Sequence, residues 1–223
     1  MRLLLSILPG LLWASSAAAA VDVSGELSAV SDYRYRGLSL SRGHPAIQGS
    51  VTVEHDSGLY GQLWGSTLGS GDPTDSEVDF TAGFSKGLSG ALSIDLSETF
   101  FAYPSAGSDN YFETTAIATA ARGNASASFG FSYVPRQRAT GHGDNAYLFG
   151  SLEVAVPRTP LTLKAGLGYE RGAFDEAAHG GKWDWTLGCE AEFKPVRLGL
   201  AYVGSDADGG DRHALVASAF VSW

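Results

Sequence analysis

The amino-acid sequence predicts an all-β fold, an antiparallel up-and-down transmembrane β-barrel of about twelve strands. Three features point there. Apolar and polar residues alternate with period two in segments of about ten residues, the connections between segments are alternately long and short, and the chain closes on a patterned strand ending in Trp223. Helix-period apolar stretches are absent and 29 of the 223 residues are glycine, which disfavours an α-helical protein.

The first segment reads as a leader. Arg2 precedes an apolar run over 3–13, small residues follow at 15–20, and Ala18 and Ala20 form the Ala-x-Ala pair that a signal peptidase admits. The apolar run is about ten residues, too short for the ~20 that span a bilayer as a helix. The expected organisation is a signal peptide over 1–20, cleaved after Ala20, and one barrel domain over 21–223.

From Val21 onward the connections set the topology. Long ones are expected at 38–44, 69–76, 104–110, 136–144, 171–182 and 205–212, and short ones at 56–58, 86–90, 121–124, 157–160 and 194–195. Sorting loops by length in this way is the habit of outer-membrane barrels, with short turns in the periplasm and long loops outside. A soluble β-sandwich has no reason to do it.

Within the segments, the clearest strand puts Trp183, Trp185, Leu187, Cys189, Ala191 and Phe193 on one face and Asp184, Thr186, Gly188, Glu190 and Glu192 on the other. The same split runs through Leu161 to Glu170 and through Val78, Phe80, Ala82 and Phe84. A barrel in lipid turns the apolar face outward and the polar face into the lumen. Glu98 strains this reading because it falls on the apolar parity. In the last strand Leu215, Ala217, Ala219, Val221 and Trp223 share a face, a pattern like the assembly signal of outer-membrane barrels. Aromatic residues gather at the long-loop ends: Tyr33, Tyr35, Phe101, Tyr103, Tyr111, Phe112, Tyr133, Tyr169 and Trp183, where an interfacial belt is expected.

The formal net charge is −9, and loss of Arg2 with the leader takes it to about −10, so nucleic acid is excluded as a partner. The single cysteine, Cys189, has no partner for an intramolecular disulfide and reads as packing on an apolar face.

The stretch SDYRYRGLSLSRGHPAIQGSVTVEHDSGLYGQLWGS, residues 31–66, resembles the start of the TorF-family porins of proteobacteria, a family also catalogued as a domain of unknown function. The pieces SDYRYRG, PAIQG and SGLYGQLWGS stand in the family's order, and FAYPSAGSDNYFE (101–113) and LAYVGSD (200–206) resemble its central and final hairpin segments. The resemblance spans the mature chain and implies an outer-membrane barrel of porin type in a Gram-negative bacterium, without naming a solute. Trp223 stands where that family would be expected to carry Phe.

By parity, the lumen receives Asp22, Glu26, Glu54, Asp79, Asp95, Glu153, Asp184, Glu190 and Glu192 against Lys164, Lys194 and Arg197. Pairing across the short turns sets Glu153 beside Lys164 and Glu192 beside Arg197. Strand one is expected to carry Asp32, Arg34 and Arg36 inward near the outer mouth. There they either form a charged constriction or tie down the first loop by hydrogen bonds to its carbonyls. A predominantly acidic wall predicts cation preference if the pore is open.

No hydrolase constellation joins His44, His55, His142, His179 or His213 to an inward serine and acid. The 206–211 stretch resembles the start of a calcium loop but lacks the distal glutamate, and GSGDPTDS (69–76) is turn chemistry without the features of a phosphate cradle. No cofactor and no metal site is expected. The sequence thus points to an outer-membrane channel for passive diffusion of small solutes or ions. A closed structural or adhesive barrel and a lipid-active enzyme are the alternatives. Membrane lipid, lipopolysaccharide and the barrel-assembly machinery are the expected partners.

Overall fold

The computed structural model describes residues 20–69, 75–177, 180–208 and 212–223. The expected leader therefore lies outside the described residues except for Ala20, as do His179 and parts of the 69–76 and 206–211 stretches. The strands, in chain order, are β1 (Val21–Val30), β2 (Arg34–Tyr35), β3 (Leu38–Ser39), β4 (Ala46–His55), β5 (Leu59–Thr67), β6 (Ser76–Gly87), β7 (Leu92–Ala102), β8 (Tyr111–Arg122), β9 (Ala125–Val134), β10 (Asn145–Ala155), β11 (Leu161–Gly172), β12 (Lys182–Phe193), β13 (Val196–Ser205) and β14 (His213–Ser222). All but β2 and β3 join into one closed barrel in which each strand pairs antiparallel with its neighbour along the chain and β14 returns to β1. The described residues thus give the twelve-stranded barrel that the alternating connections predict.

Register explains why alternation survives around the ring. Leu163 pairs with Cys189, which pairs with Leu200, which pairs with Ala217, so one apolar face runs unbroken across β11 to β14. This face points out: Leu187 is 67% exposed, Leu215 64% and Phe80 53%. In water such a surface would aggregate; in hydrocarbon it is the solvated face, while closure leaves no unpaired strand edge in the apolar layer. At the seam, the backbone amides and carbonyls of Gly25 and Trp223 exchange hydrogen bonds at 3.1 Å. The indole lies flat over Gly25, where any side chain would collide with it. The terminal aromatic thereby seals β14 to β1. Among the described residues, no helix is long and apolar enough to cross a membrane.

Two expectations are corrected by the fold. The first strand ends at Val30, so Asp32, Arg34 and Arg36 do not continue its inward parity; Arg34 and Arg36 belong to the separate hairpin β2–β3, and Asp32 lies in the connection leading into it. The aromatic belt is also smaller than expected. Phe112, Tyr133 and Trp183 face outward, at 48%, 39% and 46% exposure, whereas Phe101 and Tyr111 are buried inside, and Tyr35 and Tyr103 pack against them. The inward rings hold a loop in place; the outward ones meet the lipid interface. Glu98 does lie on the outer face, exposed, where it accepts a hydrogen bond from Thr114.

Candidate functional site

The interior has two levels with different chemistry. At the long-loop end, which faces outside in barrels of this type, hairpin β2–β3 folds into the mouth. Its turn residues Arg36 and Gly37 both take positive φ, 48° and 82°, the requirement of a tight two-residue hairpin. Gly37 is needed for space as well: a Cβ there would sit 2.7 Å from the Gly204 carbonyl oxygen and 2.7 Å from Ser205 Cβ, both on β13. Inside the loop, Asp32 accepts from Arg34 Nε at 2.5 Å and from Ser39 Oγ at 2.6 Å, and Arg34 Nη1 donates to the Gly37 carbonyl at 2.9 Å. Arg34 thus does what the second sequence reading proposed, tying the loop to itself.

Arg36 does more. Its Nη2 lies 2.6 Å from both oxygens of Glu113 on β8, and its Nη1 lies 2.7 Å from Glu170 on β11. The guanidinium stacks over Tyr147 at 4.2 Å and Tyr35 at 4.7 Å. Tyr147 can lie flat because Gly168, diagonally across the β10–β11 pair, has no side chain to obstruct the ring. Lys182 adds a contact to Glu170 at 2.7 Å, and Asn145 donates to the same carboxylate at 2.9 Å. Tyr33 and Tyr103 both donate to Glu77, at 2.9 and 2.8 Å. Burial pushes the Tyr33, Tyr35 and Tyr103 phenols above the usual tyrosine range, and the carboxylates they face push them further. For Arg36, burial works against the charge, but the Glu113 and Glu170 carboxylates outweigh it and hold the guanidinium protonated.

The result is a closely packed layer at the long-loop end. Among the described residues, every barrel strand except β14 contributes a buried residue toward its long-loop end, including Ser28, Ala46, Ser66, Glu77, Phe101, Glu113, Val134, Asn145, Glu170, Lys182 and Ser205. The buried carboxylates Glu77, Glu113 and Glu170 are tolerable there because each is met by donors.

Toward the short turns the interior is water-accessible. Lys164 stands between Glu153 at 3.2 Å and Glu190 at 2.9 Å, with side chains 32%, 48% and 18% exposed. Arg197 lies 3.2 Å from Glu190 and 3.1 Å from Glu26, and over the Phe220 ring at 4.5 Å. The expected Glu153–Lys164 pair is therefore present. The expected Glu192–Arg197 pair is only a backbone register: Arg197 turns to Glu190 and Glu26, while Glu192 meets Lys194 at 3.7 Å. Lys194 is 86% exposed in a turn and does not line the lumen. The wall from β6 to β9 adds hydroxyl pairs, Thr81–Thr99, Thr115–Ser132 and Thr119–Ser128, at 2.8–2.9 Å.

Asp79, Asp95, Asp184 and Glu54 all take the inward parity expected of them: Asp95 accepts from Tyr60 at 3.1 Å, Asp184 from Tyr147 at 3.0 Å, and Glu54 stands with Asp22 at the short-turn rim. Glu77, Glu113, Glu170 and Lys182 are the residues that sequence reasoning did not single out. Glu170 already fell on a polar face and Lys182 stands across from it in the β11–β12 register, but its other partners, Asn145 and Arg36, are 25 and 134 residues distant, beyond the reach of any local pattern.

Apolar exterior, closed ring and charged interior define a transmembrane barrel of the outer-membrane class, placed in the outer membrane of a Gram-negative bacterium. The chain belongs to the family described as bacterial protein of unknown function (Gcw_chp), whose model matches residues 14–219. Among solved structures it is similar to the KdgM porin, with 10% identity over 90% of this chain and 98% of that one and a TM-score of 0.63. It is also similar to the NanC porin, at 13% identity over 91% and 98% with a TM-score of 0.58. A third likeness is the COG4313 outer membrane channel from Pseudomonas putida F1, at 11% identity over 97% and 99% with a TM-score of 0.52. The sequence matches no curated protein.

Proposed function

We propose that this protein is an outer-membrane channel for passive diffusion of small solutes or ions, cation-preferring, with hairpin β2–β3 as the element that closes its outer mouth. The observation that carries the reading is the inner wall of the short-turn half. Glu26, Glu54, Asp95, Glu153 and Glu190 face a water-accessible interior against Lys164 and Arg197, and an excess of carboxylates raises the local concentration of cations. The porin fold and the resemblance to the TorF-family porins support it. A solved KdgM complex is described with disordered oligogalacturonate; an acidic wall disfavours such a polyanion here.

On this reading 1–20 is the secretion signal, and Trp223, sealing the last strand to the first, is what the assembly machinery reads. Lipid and lipopolysaccharide cover the apolar exterior.

Planar-bilayer recording under a potassium chloride gradient tests the selectivity. Stepwise current with a cation-selective reversal potential is expected; an anion-selective reversal potential would contradict the role given to the acidic wall. The closely packed outer layer favours one alternative, a permanently closed structural barrel. Silence of both the wild type and a hairpin-released variant would establish that alternative.

A further inference from the structure

Where the hairpin meets the long connections lies a cavity of about 390 Å³. Its walls, among the described residues, are largely aromatic: Tyr35 from the hairpin, Tyr103 and Tyr111 flanking the connection after β7, and Phe174 from the connection after β11. The Tyr111 and Phe174 rings meet at 5.0 Å and 52°. Asp109 stands two residues before Tyr111 and Glu176 two residues after Phe174. The touching rings thus bring two acidic residues from separate connections into the lining of one cavity.

The charges of this lining divide by reach. Arg36 and Lys182 belong to it, but their side chains are 6% and 0% exposed, and Glu113 and Glu170 meet them at 2.6–2.7 Å. Two buried cations held against two buried carboxylates offer a ligand neither a contact nor a net charge. Asp109 and Glu176 are exposed, so they are the charged members of the lining that an entering ligand can reach. What it meets is therefore aromatic wall and carboxylate. An anion is repelled by the carboxylates, and a neutral apolar molecule gains nothing from them. A cation on an apolar body answers both, because carboxylates and ring faces each attract positive charge.

We propose that this cavity binds a small organic monocation, an ammonium on an aromatic or branched apolar body, with the body among the four rings and the ammonium turned to Asp109 and Glu176. Its volume is within the range of about 300–1,000 Å³ usual for small-molecule sites. The formal net charge of −9 also favours the approach of a cation. The proposal goes beyond the channel reading and does not depend on it, because binding is measured without a bilayer.

Isothermal titration calorimetry on the full folded barrel in micelles of an uncharged detergent, with phenethylamine at neutral pH as the probe, tests it. Saturable binding is expected, with 2-phenylethanol, which carries a hydroxyl in place of the ammonium, and 3-phenylpropionate, which carries a carboxylate, each about tenfold weaker or worse. Asp109→Asn combined with Glu176→Gln changes two exposed residues and leaves the buried Arg36, Glu113, Glu170 and Lys182 in place. The double variant should bind phenethylamine about tenfold more weakly and 2-phenylethanol as before. Phe174→Ala should weaken both ligands alike, because it removes apolar wall and no charge. Absence of saturable heat beyond that of empty micelles, binding of 3-phenylpropionate as tight as that of phenethylamine, or an unchanged phenethylamine affinity in either variant would each overturn the assignment.

Discussion

Arg36 and Glu113 meet through both carboxylate oxygens at 2.6 Å, with side chains 6% and 5% exposed, although 77 residues separate them in the chain. The pair fastens a surface loop into the barrel wall. Removing one member leaves the other charge buried without its partner, which costs about 3–5 kcal/mol. Arg36→Ala should therefore lower the thermal midpoint of the refolded barrel, and Arg36→Lys should recover only part of the loss, since an ammonium cannot reach Glu113 in bidentate fashion and Glu170 at once. Circular dichroism melts in detergent check this; a melt indistinguishable from wild type would mean that the loop is not fastened by this pair.

Alkaline pH should loosen the same layer. The folded pKa values of Tyr33, Tyr35 and Tyr103 lie above the ordinary value of 10.0. Their contribution to stability is therefore complete below about pH 10 and is lost as pH rises beyond it, because the unfolded or undocked phenols ionise first. Absorbance at 295 nm should show part of the tyrosines ionising near pH 10 and the remainder only together with loss of the loop's packing. A single titration of all tyrosines near pH 10, with the barrel intact, would contradict the burial.

In the lower interior, Glu190 is shared by Lys164 at 2.9 Å and Arg197 at 3.2 Å. Glu190→Gln leaves two cations facing the lumen and should shift the reversal potential toward anions, whereas Lys164→Met should strengthen cation preference. If neither substitution moves the reversal potential, these residues brace the wall without facing the ion path.

The outer face should be intolerant of charge. Leu187, 67% exposed in the middle of β12, faces hydrocarbon, and a lysine there costs about 2–4 kcal/mol near the bilayer midplane. Leu187→Lys should reduce the heat-modifiable, folded fraction in lipid vesicles, whereas Thr186→Lys on the inward side should be tolerated better. Equal folding yields would contradict the assignment of faces.

How much of this the sequence disclosed depends on how local the cause is. Alternation such as Trp183 to Phe193 is written into neighbouring residues, so strand count, faces and turns were legible. Glu153–Lys164 follows from one short turn. Glu192–Arg197 failed although its register is right, because a long arginine side chain chooses among several carboxylates and found Glu190 and Glu26. Arg36 was legible as a mouth residue. Its true position was not, because a hairpin of four strand residues between Val30 and Ala46 carries no periodicity long enough to separate it from β1. Likewise Phe101 and Phe112 read alike as aromatic belt members until parity at the loop end sets one inside and the other outside.

The central claim is that hairpin β2–β3 seals a channel, and single-channel conductance of wild type beside Gly37→Ala and Arg36→Ala tests it most directly. Gly37→Ala changes no charge but drives a methyl group into the Gly204 carbonyl oxygen and Ser205, so it should lift the hairpin by sterics alone. Both variants are expected to open more often or to larger, cation-selective steps than wild type. Conductance identical in all three, with the barrel shown to be folded, would contradict the hairpin as the closing element.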